Sequence, residues 1–372
     1  MILRAKTFDL FQTRELTEQQ RKNSELNLKE FQENVIELTS FPRRIVMELT
    51  NACNLRCLMC GRNEALFHKT AMTPEDVQRF APFLQLVEEV TFCGWGEPTV
   101  NPCFRDILNF IAAYPVRKYL ITNGTRLREL ADELLKSRID IIAVSLDGSC
   151  AATNNRIRVG SDFEQIIEGL KLIIAKKKEQ GLKYPYTNIV FTAMQSNINE
   201  LPAMIRLAHQ LGLDEVKVVY LTVFGEELFH ESLWDHPNQV KDVFSEAIEL
   251  ADRLDIHIKL PFLQGEDPSG SAYHKHCSAG RRDLFIGSDG YVRPCQSTAL
   301  KLFPIQKYNT LEDMWNSHEF QDFRAIVNEP AKMPKECRRC YHSSFANWNR
   351  KAAFIQTGQE FAPVWEPNLR KE

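Results

Sequence analysis

Three cysteines lie close together in one short segment of the chain. Cys53, Cys57 and Cys60 follow an apolar run typical of a β-strand, in a C-x3-C-x2-C arrangement. Thiolates select zinc or iron-sulfur clusters over hard cations, and a cubane cluster with only three protein ligands keeps one iron open for another ligand. The alternative is a structural zinc knuckle or a set of buried thiols. A zinc knuckle needs a fourth ligand, and the first downstream candidate, His68, has a spacing unlike the usual Cys/His pairs.

Composition narrows the class of protein. The 372 residues suit one large α/β domain with an appendage, and a net charge of −3 gives no reason to expect a nucleic-acid partner. No apolar run is long enough to span a bilayer, and residues 1–6 turn polar too early for a signal peptide. We therefore expect a cytoplasmic protein without a membrane partner. In such a chain, ten cysteines with clustered spacing indicate metal rather than disulfides.

The pattern after residue 43 alternates short apolar runs with longer segments of helical period. This pattern is typical of parallel strands joined by crossover helices. Near-continuous apolar runs such as 141–144 indicate burial on both faces, in either a barrel or a doubly wound sheet. The six predicted strands are 43–49, 89–93, 117–122, 140–146, 188–194 and 215–220.

Capping residues mark several helices. Thr73 and Pro74 are typical of a helix start, and Ser161 with Glu164 has the spacing of a capping box. Gly212 is expected to end a helix that begins near Asn199. A further helix is expected over 26–36.

Small and charged residues follow the predicted strands. Residues 93–98 read Cys-Gly-Trp-Gly-Glu-Pro, where glycine permits close backbone approach to a ligand and a carboxylate can accept from an ammonium group. Asn123 follows the third strand, and Ser145 and Asp147 follow the fourth. Arg158 lies eleven positions beyond Asp147, and a guanidinium can hold a carboxylate through two parallel hydrogen bonds.

The cysteine spacing and these motifs together resemble the radical S-adenosylmethionine (SAM) superfamily. The resemblance implies an α/β fold with a partial (β/α)6 barrel and a SAM-binding [4Fe-4S] cluster on the first three cysteines. It implies that residues 94–97 meet the amino group of SAM, with Trp95 standing where glycine is usual, that Ser145 contacts the ribose and that Arg158 binds the carboxylate. Met59 would lie near the adenine, although plain packing explains it equally, and Arg156 is either a second contact or a surface arginine. The predicted SAM-binding residues are Met59, Gly94, Trp95, Gly96, Glu97, Asn123, Ser145, Asp147 and Arg158.

Four more cysteines lie in the C-terminal part, in a C-x17-C-x41-C-x2-C pattern. They are Cys277, Cys295, Cys337 and Cys340. Residues 290–295 resemble the first half of a SPASM domain, and the pattern resembles its shorter "twitch" version. This implies a small C-terminal domain that holds an auxiliary [4Fe-4S] cluster with all four irons ligated. From first principles, a four-cysteine zinc site fits the spacing almost as well.

The remaining cysteines are Cys93, Cys103 and Cys150, and small buried residues or inert thiols are the plain interpretation of all three. Cys93 and Cys150 follow predicted strand ends, so either is a candidate catalytic residue that donates a hydrogen atom to a substrate radical. His274, His276 and Tyr220 are candidate acid-base groups that the sequence does not rank.

The predicted domains are an N-terminal extension (1–40), a radical SAM barrel (41–260) and an auxiliary-cluster domain (261–372).

The resemblance implies a reaction in three steps. A donor such as flavodoxin or ferredoxin reduces the first cluster, SAM is cleaved to a 5'-deoxyadenosyl radical, and this radical abstracts hydrogen from a small-molecule or peptide substrate. The chain also resembles twitch dehydrogenases of amino-sugar alcohols, which first favours oxidation or epimerisation of a small polyol, sugar or similar metabolite, with the auxiliary cluster as electron acceptor. The first forty residues are shorter than the peptide-binding modules of many relatives. The alternatives are a maturase of a ribosomal peptide or protein, and a non-catalytic zinc or iron-sulfur scaffold.

Overall fold

A β-sheet forms the centre of the fold. We describe residues 15–62, 69–223, 226–261, 263, 277–295, 300–329, 331–334 and 337 of a computed structural model. The strands are β1 (Arg44–Met47), β2 (Arg56–Cys57), β3 (Glu89–Phe92), β4 (Arg117–Thr122), β5 (Ile141–Ser145), β6 (Arg158–Val159), β7 (Tyr186–Ala193), β8 (Glu215–Tyr220), β9 (His257–Lys259), β10 (Asp283–Ile286), β11 (Tyr291–Arg293) and β12 (Phe303–Pro304). Within the described residues the central sheet has ten strands, in the order β12-β11-β10-β1-β3-β4-β5-β7-β8-β9.

Helices connect the parallel strands. They are α1 (Glu18–Gln32), α2 (Pro74–Gln78), α3 (Phe104–Ala112), α4 (Leu127–Lys136), α5 (Ala151–Ile157), α6 (Phe163–Glu179), α7 (Leu201–Leu211), α8 (Pro237–Arg253), α9 (Leu311–Trp315) and α10 (His318–Ile326). None of these helices is long and apolar enough to cross a membrane.

Seven parallel pairings link eight strands of the sheet, from β10 through β1 to β9. All six predicted strands are among them, which confirms the α/β class with a parallel sheet. Each of the six strands buries one face in the outer core, and its other face is buried or half-buried. In β1, Ile45 and Met47 belong to the large outer core. Val46 faces the other way, in a small apolar cluster with Cys93, Phe285 and the partly buried Ile121. We call the space on this inner side of the parallel strands the lumen.

The N-terminal helix begins earlier than the predicted 26–36. A capping box between Thr17 and Gln20 starts α1, which ends at Gln32. The prediction failed because the buried face of α1 is polar, so apolar periodicity does not report it. Asn27, for example, is buried and donates to the backbone carbonyl of Arg281 at 2.8 Å. The helix therefore packs on the barrel through amide hydrogen bonds.

The three other capping predictions have different outcomes. Thr73 caps α2 and Gly212 ends α7 with φ 72°, as predicted. The predicted capping box at Ser161 is wrong, because the side chain of Asp162 accepts the N–H of Gln165 at 3.1 Å and caps α6. Aspartate is as good an N-cap as serine, and it stands one residue nearer the helix.

The C-terminal part joins the barrel sheet directly. β10 pairs in parallel with β1 and then turns into β11 as a hairpin. The turn contains Gly290 at φ 74°, a conformation that favours glycine. Arg44 of β1 and Asp283 of β10 form a two-pronged ion pair, with both N–O distances 3.0 Å. The boundary at residue 260 stays a prediction.

Candidate active site

Cys53, Cys57 and Cys60 lie on the loop that follows β1. The short strand β2 pairs antiparallel with β6, and this pairing places Cys57 directly opposite Arg158. The backbone N–H of Cys60 donates to the carbonyl of Cys57 at 3.1 Å, which makes the end of the loop a tight turn. Cys53 and Cys57 are half-buried and Cys60 is exposed. The loop therefore holds two of its three cysteines against the protein and leaves the third at the surface.

Three thiols on one loop suit a cubane cluster, in which each cysteine binds a different iron and one iron stays open. Among the described residues, no three Cys, His, Asp or Glu side chains gather closely enough to hold a single metal ion. Burial raises the pKa of Cys57 to about 11, so cluster binding has to displace the thiol proton.

Glu97 is buried at the base of this loop and holds two strand ends together. Its backbone N–H donates to the carbonyl of Ala52 at 2.9 Å. One carboxylate oxygen accepts from the hydroxyl groups of Thr99 and Thr122 at 2.6 and 2.7 Å, and the other accepts from the N–H of Asn123 at 2.6 Å. Burial raises the pKa of Glu97 in spite of these hydrogen bonds. Glu97 thus positions the cysteine loop, and its predicted contact with the amino group of SAM stays a prediction.

Asn123 connects Glu97 to the first cysteine. Its Nδ2 atom lies 3.8 Å from the sulfur of Cys53 and donates to Oδ1 of Asn54 at 2.8 Å. Its own Oδ1 accepts from the N–H of Thr125 at 3.0 Å. The amide side chain is therefore fixed at both ends beside Cys53.

Gly94 and Gly96 are needed because other groups occupy the space of a side chain. A Cβ atom at Gly96 would lie 2.2 Å from the carbonyl oxygen of Thr50, and one at Gly94 would lie 2.3 Å from Cγ of Glu48. Trp95 carries a side chain without this conflict, and its N–H donates to Oε1 of Glu48 at 2.8 Å. The departure from the family's usual glycine at Trp95 is therefore compatible with the local packing.

Glu48 is a functional candidate that the sequence analysis missed. Besides Trp95, it contacts the turn between β10 and β11, where its Oε2 accepts from the hydroxyl of Ser288 at 2.8 Å and from its N–H at 3.2 Å. Burial raises the pKa of this carboxyl group. The only available signal was a charged residue within the apolar run after residue 43. Glu48 thus joins the predicted SAM-binding loop to the C-terminal hairpin.

Arg158 and Asp147 form a buried ion pair beside the second cysteine. Nε of Arg158 lies 2.7 Å from Oδ2 of Asp147, and Nη1 lies 3.8 Å from the sulfur of Cys57. Oδ1 of Asp147 accepts the N–H of Thr192 at 2.7 Å. Burial acts to lower the pKa of Arg158, but attraction to Asp147 and Cys57 outweighs it and the pKa is raised. The guanidinium therefore remains charged next to the cysteine loop.

The other predicted SAM contacts lie around the same rim. Ser145 is half-buried at the end of β5. Met59 packs against the apolar cluster of Ile157, Met194, Leu221, Val223 and Leu228. Arg156 is exposed, as expected of a surface arginine. The assignment of these residues to SAM stays a prediction.

The two candidate hydrogen donors have different surroundings. Cys93 is buried in the lumen, and burial raises its pKa to about 12, which keeps the thiol protonated. Cys150 is exposed at the start of α5, with its sulfur 3.9 Å from the hydroxyl of Thr153. Hydrogen-atom donation needs an S–H group, and the buried Cys93 keeps one on the lumen side of the sheet. Its catalytic role stays a prediction.

Three of the four C-terminal cysteines share one apolar cluster. Cys277, Cys295 and Cys337 pack against buried residues that include Phe323 and Val327. The backbone N–H of Cys277 donates to Oδ1 of Asn328 at 2.7 Å, which fixes its position. The packing thus brings together three of the four predicted cluster ligands, and their binding of a metal centre stays a prediction. Cys340, His68, His274 and His276 lie outside the described residues.

Comparison with known proteins identifies the class. A family model described as the radical SAM superfamily matches residues 47–192, and a SPASM model, described as an iron-sulfur cluster-binding domain, matches residues 277–341. The chain belongs to the radical SAM superfamily and carries a C-terminal SPASM domain. It is an enzyme that uses SAM with a [4Fe-4S] cluster and has auxiliary iron-sulfur binding.

Several relatives match most of the chain. It is 25% identical over 313 residues to the tungsten-containing aldehyde ferredoxin oxidoreductase cofactor-modifying protein of Pyrococcus furiosus, covering 76% of this chain and 83% of that protein. It is 24% identical over 346 residues to the AdoMet-dependent heme synthase of Methanosarcina barkeri, covering 87% and 95%. Among solved structures, Streptococcus suis SuiB bound to precursor peptide SuiA matches with a TM-score of 0.61 and 16% identity, over 83% of this chain and 71% of that one. The likeness to SuiB shows a shared fold.

Proposed function

We propose that this radical SAM enzyme matures a peptide or protein, by forming a crosslink or by inverting a stereocentre. Cys53, Cys57 and Cys60 hold the SAM-binding cluster in this proposal. The observation that carries this cluster site is that two side chains contact the loop, with Asn123 after β4 beside Cys53 and Arg158 of β6 beside Cys57. A loop held in this way keeps its sulfurs in place while substrate binds on the lumen side.

The residues around the loop have distinct tasks in the proposed reaction. When bound, the reduced cluster and SAM supply a 5'-deoxyadenosyl radical. Arg158 presents a fixed positive charge suited to the carboxylate of SAM. Glu97 holds the loop through the N–H of Asn123 and the carbonyl of Ala52. Glu48 connects this site to the SPASM hairpin through Ser288.

Two findings support a peptide substrate over the small polyol or sugar that the sequence first favoured. The chain has a SPASM match over residues 277–341, and it shares its fold with SuiB, which is bound to a precursor peptide. We also propose the domain division 1–40, 41–260 and 261–372, and a flavodoxin or ferredoxin as electron donor.

Deuterium transfer tests the proposed substrate class. The enzyme is reconstituted anaerobically with iron and sulfide and incubated with SAM, a reductant and an extract of the source organism grown in deuterated medium. The extract is divided by ultrafiltration into peptides with proteins and small metabolites. We expect deuterium in the 5'-deoxyadenosine product only with the peptide and protein fraction, and none with Cys57→Ala. Transfer from the metabolite fraction alone would contradict the proposal and support oxidation or epimerisation of a small polyol or sugar.

A further inference from the structure

Two lysines lie side by side on the lumen wall. Lys217 of β8 pairs in register with Lys259 of β9, so both side chains project from the same face of the sheet. Val216 and Val218, the neighbours of Lys217, belong to the outer core, which places Lys217 on the lumen side. Both lysines are half-buried, and within the described residues neither forms a hydrogen bond or an ion pair. Two neighbouring half-buried charges of the same sign disfavour each other's charged form.

The nearest carboxylate is already engaged. Glu215 faces the lumen two residues before Lys217, and its two oxygens accept from the hydroxyl of Tyr186 at 3.2 Å and from Nδ2 of Asn188 at 3.4 Å. Burial lowers the pKa of Lys217, and the positive charge of Lys259 lowers it further against the opposing effect of Glu215. A second negative charge at the lysine pair would relieve this repulsion.

The opposite wall of the lumen does not supply that charge. Arg44 lies near enough to Lys217 to lower its pKa, and Arg44 holds Asp283 in the two-pronged ion pair. Glu89, on the same wall, accepts the hydroxyl of Thr91 at 2.6 Å and lies 4.0 Å from Arg117. The described lumen carboxylates are therefore committed to other donors.

Asn188 adds a second requirement for a ligand. Its Oδ1 atom is buried and has no hydrogen-bond donor among the described residues, and the residue is 1% exposed. Asn188 pairs with Glu215 and Val190 pairs with Lys217, so Asn188 lies on the same face of the sheet, two register positions before the lysines. A ligand that satisfies both sites carries a negative charge and an N–H group separated by about 7 Å, the rise of two residues along a strand.

The same register row reaches the predicted SAM site. Ser145 pairs with Val190, Val190 pairs with Lys217, and Lys217 pairs with Lys259. The lysine pair thus lies on the wall that leads from the ribose-contacting candidate Ser145. β9 is the edge strand at this end of the sheet, so Lys259 stands at the margin of the barrel.

We propose that Lys217 and Lys259 form a subsite that binds a carboxylate of the substrate, while Oδ1 of Asn188 accepts a neighbouring N–H. An acidic residue within a peptide has both groups. The peptide source rests on the proposed function, and the carboxylate subsite does not, since any substrate acid presents the same charge. The subsite would fix the substrate relative to the cysteine loop.

The test of this subsite is whether a defined probe protects the two lysines from acetylation. It requires no turnover by the enzyme. Anaerobically reconstituted enzyme with SAM receives a short pulse of acetic anhydride, and mass spectrometry measures acetylation of each lysine. The probes are N-acetyl-glutamate N-methylamide, the matched N-acetyl-glutamine N-methylamide, and glutarate. We expect the glutamate probe to slow acetylation of Lys217 and Lys259 about tenfold, with no effect on the exposed Lys241 of α8. The glutamine probe should not protect.

Variants and the third probe complete the test. In Lys217→Gln, the factor by which the glutamate probe slows acetylation of Lys259 should fall about tenfold. In the control Lys241→Gln this factor should stay unchanged. Protection by glutarate equal to that by the glutamate probe supports the carboxylate subsite and assigns it to a small acid. Equal protection by the glutamine probe, or no protection, overturns the subsite. If the reconstituted enzyme does not cleave SAM on reduction and the glutamate probe still protects both lysines, the proposed function is refuted and the carboxylate subsite is supported.

Discussion

The Nη1 atom of Arg158 lies 3.8 Å from the sulfur of Cys57, and the antiparallel pairing of β2 with β6 fixes this proximity. Asp147 is fully buried, and its Oδ2 atom lies 2.7 Å from Nε of the same guanidinium. The residue predicted to bind the SAM carboxylate is therefore also part of the packing beneath the cysteine loop. Its removal should affect both ligand binding and stability.

We predict that Arg158→Ala weakens SAM binding by roughly ten- to a hundredfold, since a charge-assisted pair is lost. The variant should also be less stable by about 3–5 kcal/mol, because Asp147 is left buried without its cation. Equilibrium dialysis of SAM with the reconstituted protein measures the first effect, and urea denaturation measures the second.

The controls separate these two roles. Arg156→Ala changes an exposed arginine two residues away and should alter neither quantity. Combining Arg158→Ala with Asp147→Asn should recover part of the stability without recovering SAM affinity. An unchanged dissociation constant in Arg158→Ala would show that another residue holds the carboxylate.

A second prediction concerns the cysteine loop. Replacement of Cys53, Cys57 and Cys60 by alanine should abolish 5'-deoxyadenosine formation and leave the fold and one iron-sulfur cluster in place. The reason is that the other cysteine set packs against a separate apolar cluster around Phe323. Chromatographic assay of SAM cleavage, circular dichroism and iron analysis check the three parts. Continued SAM cleavage in the triple variant would disprove the assignment.

The sequence predicted these parallel strands well, because each carries an apolar run with one face in the outer core and the other buried or half-buried. It missed β9 and β10, which are three and four residues long and carry charged residues such as Lys259 and Asp283. It also missed Glu48, since a carboxylate at a strand end does not show from sequence which neighbours it will meet. Ser288, its partner, is separated by 240 residues. Contacts of this kind depend on how β10 joins β1.

The third prediction is a pH effect at Glu48. Its pKa is raised in the folded protein by burial, so its contribution to stability is present below the unfolded-state pKa and is lost as pH rises through the folded-state pKa. Glu48→Gln resembles the protonated group and should remove this part of the pH dependence. The difference in unfolding free energy between Glu48→Gln and the unaltered protein should therefore grow in favour of the variant as pH rises.

Urea denaturation from mildly acidic to neutral pH measures this difference. Glu97, whose pKa is also raised, contributes equally to both proteins and cancels. Glu249→Gln, at an exposed position of α8, provides a control that should follow the unaltered protein. Parallel pH profiles for Glu48→Gln and the unaltered protein would contradict the prediction.

The last prediction concerns the SPASM cysteines Cys277, Cys295, Cys337 and Cys340, which we expect to bind a second [4Fe-4S] cluster. Iron analysis should give about eight irons per chain, from two clusters of four, and about four in the variant that lacks Cys53, Cys57 and Cys60.

The role of this second cluster can be tested with Cys337→Ala. If the auxiliary cluster accepts an electron from the substrate radical, this variant should keep SAM cleavage and lose the oxidised product. The control is Cys103→Ala, at a half-buried cysteine in the N-cap position of α3 that belongs to neither predicted ligand set. Zinc in place of iron, or normal turnover by Cys337→Ala, would exclude an electron-acceptor role, because a redox-inactive or dispensable centre cannot take the electron from the substrate.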